Sequence, residues 1–145
     1  MSTLLIVGTV AFDAIETPFG KKDKIVGGAA TYIALAASQF NVDSAIVSVV
    51  GGDFPKSYLE FLETKNIDTS GIQVIPNGKT FFWSGKYYND LSSRDTLATE
   101  LNVLADFKPI VPENFLQPDF LMLGNLHPSV QMEVIRQIPK RPKLV

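Results

Sequence analysis

Few side chains in this sequence combine type and position in a way that could do chemistry. Asp13 lies just past the apolar run Leu4-Leu5-Ile6-Val7-Gly8-Thr9-Val10. A carboxylate at the end of a buried strand can accept hydrogen bonds from hydroxyl groups, or it can cap a turn. Gly27 and Gly28 open the run Ala29-Ala30-Thr31-Tyr32-Ile33-Ala34-Leu35-Ala36-Ala37. Without a Cβ, such a pair lets backbone N–H groups face a ligand, and the helix behind it adds unpaired donors and a positive dipole end. Oxygen-rich or anionic groups bind well there. The same pair could simply make a tight turn into a helix. Asn125 ends the apolar run Phe120-Leu121-Met122-Leu123-Gly124 and could donate and accept hydrogen bonds toward a ligand, or only shape a turn. The single histidine, His127, precedes Pro128 with no clustered His, Asp or Glu partner. It could act as a general base; a metal site is not expected. Gly78-Lys79-Thr80 has the ending of a phosphate-binding P-loop. Gln73 stands where that loop needs glycine, and an aromatic extended run follows instead of a helix, so the P-loop is rejected.

These residues need a folded frame, and composition allows one. The sequence is 46% hydrophobic and 19% charged, with a net charge of −2. That is a globular composition, and it lacks the basic tract of a phosphate-backbone binder, so nucleic acid is not an expected partner. Without cysteine there are no disulfides, thiolate chemistry or thiolate zinc sites, and a cytoplasmic setting is expected. No secretory leader pattern opens the chain, and no apolar stretch of about 20 residues exists to span a membrane.

The elements that would position the candidates follow in order. Leu4–Val10 reads as a strand buried on both faces of a parallel sheet. Ile15–Ile25 is polar, with Pro18, Gly20 and a lysine cluster, and reads as an exposed hairpin turning near Phe19-Gly20. The small-residue helix after Gly28 is apolar all round and is expected to be buried. Ala45–Val50 is a strand that ends in Gly51-Gly52-Asp53. Asp53 and Pro55 read as a helix start, with Asp53 as N-cap and Asn66 as the stop. Strand and helix alternating in this way is the rhythm of an α/β fold. Thr80–Tyr88 and Thr96–Val103 break it and read as an antiparallel pair projecting from the sheet. Its aromatic residues could cover a ligand, cover a dimer partner, or pack on the domain. Phe120–Gly124 is a further buried strand, Ser129–Ile138 a helix stopped by Pro139, and Leu144-Val145 the start of one more strand. That last strand, only begun, suggests the N-terminal part of a longer protein, whose unpaired sheet edge would favour association or poor solubility.

Taken together and in this order, the residues resemble the PfkB or ribokinase-like carbohydrate and nucleoside kinases. The resemblance rests on Asp13 beyond the first strand, Gly27-Gly28-Ala29-Ala30 leading into the helix, Val49-Val50-Gly51-Gly52-Asp53 near the family's V-G-x-D pattern, and the aromatic flap between α/β units. It implies a parallel-sheet α/β/α sandwich carrying a small β-sheet lid, built here from about Phe12 to Val26 and Lys79 to Val103. It implies that Asp13 and the Gly27-Gly28 turn hold sugar hydroxyls, with Asn125 approaching from its strand end. Phe82 and Trp83 would close over the substrate, and Asp53 would cap its helix and shape the substrate side. Where many members carry a substrate-binding Asn after the glycine pair, this chain has Tyr32, which leaves the sugar open.

The resemblance also implies an ATP- and magnesium-dependent phosphotransferase acting on a sugar hydroxyl or, alternatively, a nucleoside, and a homodimer formed through the lid. The family's catalytic aspartate lies in a G-A-G-D motif that does not occur in these residues. No catalytic residue is therefore expected in this chain, which alone should be inactive and hold only substrate-side and lid elements. Two other readings remain open: a stand-alone sugar- or nucleoside-binding module, and an interaction domain that dimerises through its flap.

Overall fold

In the computed structural model, which describes all 145 residues, the chain forms ten strands and three α-helices. β1 (Ser2–Val7), β4 (Val42–Gly51), β9 (Phe120–Leu123) and β10 (Lys143–Leu144) lie parallel in the order β10-β9-β1-β4. β5 (Ile67–Asp68) and β6 (Ile72–Ile75) both pair with β4, at its start and its end respectively. Strands buried on both faces need no polar alternation, which is why β1 and β4 read as near-continuous apolar runs. Leu5 and Val7 point into one core with Val47, Phe107, Phe115, Leu121 and Val134. Ile6 points into the other, with Ile46, Val50, Phe54, Leu62, Ala30 and Ala34. The first core is closed by α3 (Pro128–Gln137) and the segment around Phe107–Phe115; the second by α1 (Ala29–Ala37) and α2 (Lys56–Glu63).

A second sheet stands apart. β2 (Ala11–Thr17) and β3 (Gly20–Gly27) form the hairpin expected from the polar excursion, turning through Pro18-Phe19. β7 (Phe82–Tyr87) and β8 (Arg94–Glu100) form the antiparallel aromatic pair. β7 also runs parallel to β2, giving the order β3-β2-β7-β8. The lysine cluster is exposed; Lys21 pairs with Asp23 at 3.0 Å, and the Lys24 ammonium lies 4.1 Å over the Phe12 ring.

Two local expectations need correction. α1 is not buried all round: Ala30, Thr31 and Ala34 face the sheet, while Tyr32 is 56% exposed. One helix face is all that a sheet can cover, so an apolar outer face stays open unless another layer packs on it. Asp53 does not cap α2, which starts after Pro55 with no side-chain cap. Its carboxylate turns instead to Thr80, accepting hydrogen bonds from the Thr80 N–H at 2.8 Å and its hydroxyl at 2.7 Å. Asn66 does mark the end of that helix region, with a left-handed φ of 59°.

Candidate functional site

The carboxyl ends of β1 and β9, the N-terminus of α1 and one face of the small sheet converge. Thr9 joins them and is buried. Its hydroxyl accepts from the Ala29 N–H at 3.0 Å and donates to Asn125 Oδ1 at 3.1 Å; its own N–H also reaches Asn125 Oδ1, at 3.3 Å. Its carbonyl accepts from the Ala30 N–H at 3.0 Å. Because a backbone N–H can only donate, the atom of Asn125 turned to Thr9 must be the carbonyl oxygen, and the amide Nδ2 is left to donate elsewhere.

Gly28 has φ 95° and ψ 145°, a backbone shape that L side chains rarely adopt, and a Cβ on it would overlap the Thr9 carbonyl oxygen. A Cβ on Gly27 would overlap the Asp13 carboxylate. Gly28 is therefore required by its φ and by close approach to backbone, while a Cβ on Gly27 would displace the Asp13 carboxylate. Asp13 is half-buried. Burial pushes its carboxyl above the usual carboxylate range, against the opposing pull of the Gly28 backbone N–H.

Strand alternation decides which lid residues share this face. Asp13 is in register with Trp83 on β7, and Trp83 with Thr99 on β8. These three point to one side, and Phe12, Phe82 and Ala98 to the other. Phe82 packs on the second core beside Phe12 and Phe54. Of the two aromatic residues expected to close over a ligand, only Trp83 stands on the Asp13 face. It lies across Gly85, where a Cβ would overlap the indole, and meets Tyr87 edge-on at 6.5 Å. Tyr32 lies one turn beyond Gly28, its N–H donating to the Gly28 carbonyl at 3.3 Å, and is exposed. It stands near Tyr58, whose phenol is pushed up by burial first and by Tyr32 second.

Beside this cluster is a cavity of about 700 Å³, within the size range of small-molecule sites. Its lining is half polar, with Thr9, Thr99, Asn125 and His127 beside the charged Asp106 and Lys108; Phe81, Leu101, Leu104 and Phe107 form much of its apolar part. His127 caps α3, with Nδ1 accepting from the Ser129 N–H at 3.2 Å and lying 2.8 Å from the Ser129 hydroxyl. No group of three or more His, Asp or Glu side chains is arranged to hold a metal ion. Thr9, Phe81 and Thr99 escape a reading of the sequence alone. The available signal was position: Thr9 follows Gly8 at the end of the first apolar run, and Phe81 directly precedes β7.

Gly51 and Gly52 serve the base of the small sheet. A Cβ on Gly51 would overlap the Gly78 carbonyl, and one on Gly52 the Pro76 carbonyl. Gly78-Lys79-Thr80 leads into β7, not a helix, consistent with rejecting the P-loop.

Comparison with known proteins places this geometry. No family model matches the chain. A cytidine kinase of Thermococcus kodakarensis is 30% identical over 139 residues, covering 95% of this chain and 49% of that protein. A nucleoside kinase of Methanothermobacter thermautotrophicus is 33% identical over 104 residues, covering 61% of this chain and 34% of that protein. The chain thus spans about half the length, or less, of these curated relatives. Among solved structures, the nucleoside kinase of Methanocaldococcus jannaschii, an archaeal member of the ribokinase family, superposes with a TM-score of 0.76 at 18% identity, over 99% of this chain and 51% of its own. A Burkholderia thailandensis nucleoside kinase in complex with ADP-inosine superposes with a TM-score of 0.71 at 15% identity, over 92% of this chain and 48% of its own. The parallel sheet with a second small sheet is the ribokinase fold, and along 95% of its length the chain is similar in sequence to a kinase of this kind.

Proposed function

We propose that this chain is the substrate-side part of an ATP-dependent nucleoside kinase, and that the whole protein phosphorylates a hydroxyl of the nucleoside's ribose. The observation that carries this reading is the division of the site. Asn125 lines a roomy cavity walled in part by Phe81, Leu101, Leu104 and Phe107, and Thr9 joins it to the α1 N-terminus, where the Gly28 N–H meets Asp13. A ribose suits the polar groups and a flat, weakly polar base suits the apolar wall. A free sugar would use only the polar groups and leave the apolar wall wet. The names of the two curated relatives point the same way.

In this reading Asp13, held by the Gly28 N–H, accepts from ribose hydroxyls, while Asn125 Nδ2 donates to a ribose oxygen. The small sheet acts as the lid, with Trp83 and Thr99 on its inner face, and closure excludes water from the transferring phosphate. The residues present do not fit ATP and magnesium: there is no G-A-G-D run and no grouped carboxylates. The nucleotide, the metal and the catalytic aspartate are therefore assigned to chain beyond these residues. ATP as phosphate donor also argues for a cytoplasmic setting. No helix is long and apolar enough to cross a membrane. Exposed Phe19, Tyr88, Leu91 and Leu97 give the lid apolar surface for pairing with a second lid. Light scattering is expected to show a dimer.

The test is a phosphorylation assay of the whole protein with ATP, magnesium and a panel of cytidine, inosine and ribose. A nucleoside monophosphate is expected, with ribose the poorer acceptor. No phosphorylated nucleoside would overturn the reading. A product formed by the 145 residues alone would overturn the assignment of catalysis to chain beyond them.

A further inference from the structure

The small sheet joins the main sheet at two roots, and a buried threonine stands at each. At the first, the Thr9 hydroxyl donates to an amide oxygen, Asn125 Oδ1, and accepts from a backbone N–H, Ala29. At the second, the Thr80 hydroxyl donates to a carboxylate oxygen, Asp53 Oδ1, at 2.7 Å and accepts from the Gly51 N–H at 3.0 Å. Thr9 is 2% exposed and Thr80 is 1% exposed. The second joint is tied further. The Thr80 N–H donates to the same Asp53 oxygen, and the Thr80 carbonyl accepts from Asn102 Nδ2 at 3.0 Å. Asn102 holds a left-handed φ of 49° where the chain leaves β8, and the Val103 N–H donates to the Lys79 carbonyl at 3.1 Å. The chain entering β7 and the chain leaving β8 are thus fastened to each other and to the end of β4. Phe81 follows Thr80 directly and lines the large cavity.

We propose that Asp53 and Thr80 are positioning residues, which touch no substrate but set the angle at which the small sheet stands over the cavity. This rests on the nucleoside reading for its functional consequence, though not for its structural one. A carboxylate at Asp53 binds both donors of Thr80 at once, so the joint resists rotation about either bond alone. Charge-assisted hydrogen bonds to a buried partner are among the stronger ones. A site held this way meets its ligand with less ordering left to do.

Trp83, the sole tryptophan, reports on the sheet directly. The measurement is its time-resolved anisotropy and acrylamide quenching in the ligand-free chain, followed by titration with cytidine. Thr80→Val keeps the shape and removes the hydroxyl; Asp53→Ala removes the acceptor at an exposed position and keeps the test decisive if the threonine variant does not fold. Thr80→Ser and Asp53→Asn restore hydroxyl and acceptor. The first two variants should make Trp83 more mobile and more quenchable and weaken cytidine about tenfold; the second two should stay within about twofold of the parent. Thr80→Val and Asp53→Ala that melt earlier with Trp83 motion unchanged would show a merely structural role and overturn the proposal. If the parent binds no cytidine, the nucleoside reading fails, while Trp83 mobility in the free chain still decides this one.

Discussion

At the scale of single residues, Asp13 carries opposed demands. Its folded carboxyl titrates above the ordinary value because burial penalises the charge. A group raised in this way contributes stability at low pH that is lost as pH rises through the raised value. Asp13→Asn should therefore raise the melting temperature at pH 7 and leave it nearly unchanged at pH 3, as followed by circular dichroism. The same variant should weaken nucleoside binding by about tenfold or more, because hydrogen bonds to a charged group are worth roughly 1.5–3 kcal/mol. Binding by the parent should weaken as pH falls through the raised value. Gly28 makes a simpler case. Gly28→Ala forces an L side chain into φ 95° and against the Thr9 carbonyl, and should cost about 1–3 kcal/mol in urea unfolding. Asp13 and Asn125 could be picked out of the sequence because each follows an apolar run, and Gly27 and Gly28 because they open one. Their joining through Thr9 could not, since a hydrogen bond between residues 116 apart in sequence leaves no local trace.

At the scale of elements, period-two alternation separates two neighbouring aromatics. Phe82 belongs to the core and Trp83 to the open face. Phe82→Ala should lower stability by about 1–3 kcal/mol in urea unfolding while hardly affecting cytidine affinity. Trp83→Ala should do the reverse, and calorimetric titration distinguishes them. The sequence showed an extended aromatic run; it did not show which face met the core, because β7 pairs with β2, far away in the chain. The Asp53 expectation failed for a related reason. Asp before Pro has the local chemistry of a helix start, but the Thr80 donors, 27 residues on, win the carboxylate. Composition likewise describes α1 as apolar on every side without saying that only one side is covered.

At the scale of the molecule, the parallel sheet was the most legible feature. Its strands are apolar runs buried on both faces, separated by helices of ordinary length, and such patterns survive without tertiary detail. The second sheet was legible as two excursions, one polar and one aromatic, although the pairing of β2 with β7 that unites them was not. The cavity was the least legible part, because its walls come from the residue before β7, the segment after β8, and the loop after β9. This cavity and the groups around Asp13 are together proposed to take a nucleoside rather than a free sugar. The most direct test is isothermal titration of the chain with cytidine and, separately, with ribose. Cytidine is expected to bind more tightly than ribose, and Asp13→Asn to weaken its binding. Equal affinity for the two, or no binding of either, would contradict this proposal.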